Sequence, residues 1–169
     1  MTGSFQNGPF MNEIGTDTRS QAMAGDLAVD GIFTGIEAGI IMAAFLVVVL
    51  VGQDFSPAEV LSVFTLYGSP SLTSGILAHL AVSSVYGIFF SLGIYVLNRR
   101  RLWIKTLFAF LLIGLAYGFL LWLAAELLFL DLTTTLLIEM PPTLLVAAHL
   151  VYGLALGSLV QRRQRSFHI

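Results

Sequence analysis

Residues 60–98 and 106–125 of this chain contain no Asp, Glu, Lys or Arg. About 20 apolar residues suffice for a helix to cross a bilayer, and in lipid the backbone must satisfy its own polar groups, which a helix does. The whole chain follows suit: of 169 residues, 57% are hydrophobic and 11% charged. A soluble domain carries about 25% charged residues. The expected class is therefore an all-α polytopic membrane protein.

Four spans are predicted. The first, residues 31–52, reads GIFTGIEAGIIMAAFLVVVLVG and opens on Gly31, Gly35 and Gly39. Glycines four apart form a ridge that admits a second backbone. Pro57, Gly68 and Pro70 interrupt residues 53–75 and bar a span there. Ser56-Pro57-Ala58-Glu59 has capping-box spacing with proline at the first helical position, so a short interfacial helix is expected in this loop. The second span covers about 72–97 and ends at Asn98 and Arg99-Arg100-Arg101; Trp103 and Lys105 follow as interfacial anchors. The third covers about 104–130 and carries Gly114 and Gly118, and the fourth covers about 142–160 after Pro141-Pro142. The organisation is a polar N-terminal tail (1–30), a transmembrane domain of two hairpins (31–161) and a basic tail (162–169). On composition the N-terminal segment is a flexible tail or a docking arm anchored by Phe5, Phe10 and Met11.

Orientation follows from the cations. Arg19, Arg99, Arg100, Arg101, Lys105, Arg162, Arg163 and Arg165 all fall on the side of both termini, while the hairpin loops hold Asp54, Glu59, Asp131 and Glu139. The positive-inside rule then puts both termini in the cytoplasm of a cell (inner) membrane and both loops outside.

The returning helices share a phrase. Residues 78–101 contain His79 and VYG at 85–87; residues 147–163 contain His149 and VYG at 151–153. Each VYG helix follows a glycine-ridged helix and ends at arginines, so the two hairpins share one plan, with Gly87, Gly153 and Gly157 as packing glycines on the returning helices. His79 precedes Tyr86 by two turns and His149 precedes Tyr152 by one, so each histidine shares a face with its tyrosine. Both histidines belong to the outer half of the membrane, in one layer with Glu126. Three roles are open to this layer: packing through hydrogen bonds to neighbouring helices, ligation of a b-type haem (or contact with a pigment) by His79 and His149, or a proton relay through Glu126.

Glu37 stands apart, about 10 Å from the inner end of its helix at 1.5 Å per residue. It lies nearly opposite the glycine ridge, so it is expected to face lipid or a donor on a partner subunit.

The segments GIFTGIEAGIIM (31–42) and HLVYGLALG (149–157) together resemble small four-helix bacterial and archaeal membrane proteins, in which a glycine-rich first helix is paired with a last helix of pattern HxVYGxxLG. The resemblance implies the four-helix topology and carries no activity.

No cysteine is present, which excludes disulfides, thiolate catalysis and iron–sulfur clusters. No HExxH, nucleophile elbow or phosphate-cradling loop occurs, and no basic stripe with interleaved aromatics suggests nucleic acid. The expected function is a non-catalytic accessory subunit of a larger integral-membrane complex, possible hosts including respiratory or photosynthetic electron transport, with lipids and other membrane subunits as partners. A small oligomeric transporter or channel and a di-histidine cytochrome b are the alternatives.

Overall fold

A computed structural model describes residues 10–65, 69–99, 106–128 and 141–166, with the backbone alone for 10–24, 128, 165 and 166. The regular elements are α1 (Phe10–Val51), α2 (Pro57–Ser62), α3 (Leu72–Arg99), α4 (Leu107–Leu128) and α5 (Pro142–Ser166). Among the described residues there is no strand. Four segments are long and apolar enough to cross a membrane: Gly25–Val51, Leu72–Arg99, Leu107–Leu127 and Pro142–Gln164. Phe5, the arginines at 100 and 101, Trp103, Lys105 and the loop at 129–140 lie outside the described residues.

Two helices are longer than composition suggests. α1 begins at Phe10 rather than Gly31, so much of the expected polar tail is helical backbone. Low hydrophobicity argues against a separate core, but it does not stop a helix already nucleated by its apolar half from propagating outward. α5 runs on to Ser166, through the basic residues expected to form a tail. Arg and Gln are good helix formers, and Arg163 is tied to α1 by two ion pairs.

Local signals set the remaining ends. α1 stops at a turn in which the Phe55 N–H donates to the Leu50 carbonyl at 3.2 Å, with Asp54 in the left-handed region at φ 69°. Asp tolerates that region better than most side chains. α2 opens on the expected capping box: the Ser56 N–H donates to Glu59 Oε2 at 2.7 Å, and the Glu59 N–H donates to Ser56 Oγ at 3.3 Å. Thr106 caps α4 by accepting from the Ala109 N–H at 3.2 Å.

Backbone contact between glycines organises the bundle. On α1 and α3 the ridges run antiparallel. A methyl group at Gly87 would strike the Gly31 carbonyl and lie 2.6 Å from Gly35 Cα, and one at Gly39 would lie 2.7 Å from Ser83 Cβ. On α4 and α5 the same register recurs: a methyl group at Gly153 would strike the Gly114 carbonyl and lie 3.0 Å from Gly118 N. Gly87 thus sits between Gly31 and Gly35 as Gly153 sits between Gly114 and Gly118, and Gly157 meets the Phe110 carbonyl. The two VYG phrases are equivalent in space as well as in sequence.

The pairs are joined through larger side chains. Leu46, Ile94, Phe110, Tyr152 and Leu156 form the buried centre. The Tyr152 hydroxyl donates to the Ser83 carbonyl and the Tyr117 hydroxyl to the Tyr86 carbonyl, each at 2.8 Å, tying α5 and α4 to α3. α2 is clamped onto the first turn of α3, where a methyl group at Gly75 would strike the Leu61 carbonyl. Sequence reading overlooked Gly75, although Gly75, His79, Ser83, Gly87 and Ser91 recur every four residues along one ridge.

Two outcomes follow. Replacing Gly87 or Gly153 by Val should lower stability by about 1–3 kcal/mol or more, as overpacking does, measured by reversible unfolding in mixed micelles. Gly93→Ala, where no atom lies within 4 Å, should be neutral or slightly stabilising. Separately, the Ser56 N–H, and then the Ser56 hydroxyl, hold the Glu59 carboxyl below its ordinary value of 4.5. The capping contribution is therefore present above pH 4.5 and lost as pH falls through the depressed value of the folded state. Amide exchange in α2 should accelerate on that acid limb, and Glu59→Gln, which still caps, should flatten the dependence.

Candidate functional site

The glycine ridges do not continue along the whole bundle. After Gly114 and Gly118, the next ridge positions on α4 are Trp122 and Glu126, and before Gly153 on α5 come His149 and Leu145. Gly118 still meets the His149 carbonyl, but no glycine follows it on α4. At this level lies a cavity of about 200 Å³ among α1, α3, α4 and α5. Its walls are mainly apolar, with Met42, Leu46, Val82 and Leu121 among them, and its polar lining includes His79, Trp122, Glu126 and His149.

The structure therefore brings His79, His149 and Glu126 around one space. Each histidine is already bonded to a carbonyl. His79 Nε2 lies 2.9 Å from the Gly39 oxygen on α1, and His149 Nδ1 lies 2.8 Å from the Leu145 oxygen on its own helix. A carbonyl can only accept, so the proton sits on Nε2 of His79 and on Nδ1 of His149. In the neutral rings, His79 Nδ1 and His149 Nε2 are then acceptors. The two histidines are not counterparts in the repeat. Aligning Gly87 with Gly153 matches His149 to Ser83, whereas His79 falls one turn further out, level with Leu145.

The connection after α2 supplies one side of the cavity. The Phe64 ring stacks on His79 at 4.3 Å between centroids. Thr65, also in the lining, exchanges two 3.1 Å hydrogen bonds with the Ser71 backbone. Tyr86 and Tyr152 border the cavity toward the glycine contacts.

Trp122 is the residue that sequence reading missed. Its Nε1 is buried without a hydrogen-bond partner, one of two such side-chain atoms among the described residues, the other being Ser91 Oγ. Buried indole N–H groups ordinarily find an acceptor. The available signal was spacing: Trp122 continues the Gly114–Gly118 ridge by one turn. Glu126 likewise has no hydrogen-bond partner among the described residues.

Glu37 requires a correction. Its Oε1 accepts from Arg163 Nη2 at 2.9 Å, while Arg163 Nη1 donates to Asp30 Oδ1 at 3.1 Å. The guanidinium also lies 5.6 Å from the centre of the Phe33 ring. The donor that Glu37 needs is supplied within the chain, by Arg163 of α5. Sequence reading assigned Arg163 to a tail and so did not consider it. These groups are partly exposed, and pairs of this kind contribute about 0–1 kcal/mol in water.

No group of three or more His, Asp or Glu is placed to hold a metal ion among the described residues. For haem, two histidines on different helices share a cavity, but the Nε2 of His79 would have to leave Gly39 before it could ligate iron.

The histidines should differ in structural weight. His79→Ala removes an interhelical hydrogen bond and the stack with Phe64, and is expected to cost about 1–2 kcal/mol. His149→Ala removes a bond within one helix and should cost less than about 1 kcal/mol. Unfolding midpoints of both variants in the same micelles check the order.

No protein-family model matches this chain, and no curated protein or solved structure is similar enough to serve as a relative.

Proposed function

We propose that this chain is a non-catalytic integral-membrane accessory protein that holds a small lipophilic molecule in the cavity beside His79, Trp122, Glu126 and His149. It crosses the membrane as two hairpins, α1–α3 and α4–α5, with both termini cytoplasmic and the cavity in the outer half. The outward faces support the membrane setting: Val48, Phe108 and Leu127 are more than two-thirds exposed. A surface so apolar would associate in water. Clustering of Lys and Arg on one side supports the orientation.

One observation carries the binding reading: an apolar cavity is lined at one level by His79, His149 and Glu126. Ligand sites combine apolar walls with a few placed polar groups in this way. Both histidines spend a ring nitrogen on a backbone carbonyl rather than on a hydroxyl nucleophile, which favours binding over catalysis. A transport path finds less support, because Glu37 is bonded to Arg163 and is not among the residues lining the cavity. No residue favours an electron-transport complex over another host.

Gentle purification of the full chain, followed by sizing and mass spectrometry of its solvent extract, tests this reading. A lipophile enriched over bulk lipid at near-stoichiometric ratio, with migration alongside other polypeptides, is expected. An extract matching bulk lipid, from a lone homo-oligomer, would contradict it.

A further inference from the structure

The fixed charges around the cavity are of one sign. Glu126 is among the lining residues, and no Lys or Arg of the described residues is. The nearest Lys or Arg along the sequence are Lys105, before the start of α4, and Arg162, near the end of α5. Glu126 lies close to the opposite end of α4, roughly 30 Å from its first turn at 1.5 Å per residue. The two connections on the cavity's side, 52–71 and 129–141, hold Asp54, Glu59, Asp131 and Glu139 and no Lys or Arg. The cavity walls are otherwise apolar and aromatic, with Phe64, Tyr86, Trp122 and Tyr152 contributed by four different segments.

From this charge pattern we infer that the occupant is an organic cation, an ammonium head on a small apolar body, and this rests on the lipophile-binding reading above. A carboxylate in an apolar space is costly unless an opposite charge accompanies it. The chain places no Lys or Arg at that level, so a cationic occupant brings the missing counter-charge. Its apolar body suits the walls, and aromatic side chains are favourable neighbours for an ammonium group. Other occupants match less well. An anion meets the Glu126 carboxyl and finds no Lys or Arg. A bare metal ion needs several ligands together, and no such group is assembled among the described residues. The acidic connections act at longer range, because a surface of one sign raises the local concentration of oppositely charged ligands.

The test uses the full chain carrying Trp103→Phe, which leaves Trp122 as its remaining tryptophan of the two. Its emission is followed in micelles of an uncharged detergent during titration with benzyltrimethylammonium, with its neutral carbon isostere neopentylbenzene, and with benzenesulfonate. Each titration is corrected for partition into protein-free micelles. The cation should bind roughly tenfold more tightly than the isostere, the scale of a desolvated ammonium contact. The sulfonate should bind more weakly than either. Glu126→Gln should bring the cation down to the isostere's affinity and leave the isostere's affinity unchanged. Equal binding of cation and isostere, or a preference for the sulfonate, would overturn the cation assignment while leaving lipophile binding intact. An undiminished preference for the cation in Glu126→Gln would overturn the part given to Glu126. If none of the three alters Trp122 emission, lipophile binding itself is contradicted. The cation–isostere comparison needs no change in the cavity, so it stands even if the Glu126 variant fails to fold.

Discussion

Direct backbone contact between glycine-lined helices is the constraint on which the rest of this bundle depends. In lipid, apolar surface gains little by leaving one hydrocarbon environment for another, so association rests on close packing and interhelical hydrogen bonds. Gly31 and Gly35 around Gly87 provide that packing for one pair, and Gly114 and Gly118 around Gly153 provide it for the other. Any side chain at these positions would meet backbone, which cannot yield as the end of a flexible side chain can. The shared register also gives physical content to the repeated VYG phrase: the glycine makes the close contact, and the neighbouring Tyr152 in the second copy reaches across to the Ser83 carbonyl.

The cavity is the other face of the same constraint. Beyond Gly118 the α4 ridge carries Trp122 and Glu126, and these larger groups, with His79 and His149, border a space. Tyr152 and Tyr117 bridge α5 and α4 to α3 near the transition, so the gap is bounded by hydrogen bonds made at fixed registers. Phe64 and Thr65 add a wall from the α2 connection, which is itself anchored at Gly75. A pocket built this way is held by the tight ends of its helices. The cavity and the helix packing accordingly belong to successive turns of the same ridges. Toward the other end, Arg163 joins Asp30 and Glu37 and ties α5 to α1.

Much of the architecture was legible because long uncharged apolar runs admit few folds. Uncharged runs marked the long apolar helices, four-residue glycine spacing marked their contact faces, and Ser56 with Glu59 marked the start of α2. The helix ends at the polar side were not legible. Composition separates apolar from polar, but a helix propagates past that boundary, as α1 does before Gly31 and α5 does after Val160. Missing that extension hid Arg163 from Glu37. Within the site, His79, His149 and Glu126 stood out as rare ionisable groups in apolar helices. Trp122 did not, because an aromatic in such a helix is unremarkable until its N–H is found buried and unpaired. The carbonyl partners that fix the histidine tautomers are backbone atoms, which no residue identity announces.

Glycine Hα–Hα contacts test the central claim most directly. The sixteen glycines of the chain allow selective labelling without altering a residue. Cross-relaxation peaks in a lipid or detergent sample should link Gly87 to both Gly31 and Gly35, and Gly153 to both Gly114 and Gly118, with no peak between the two sets. Absence of these interhelical peaks, or peaks joining glycines of α3 to those of α4, would contradict the paired-ridge bundle and the cavity that follows from it.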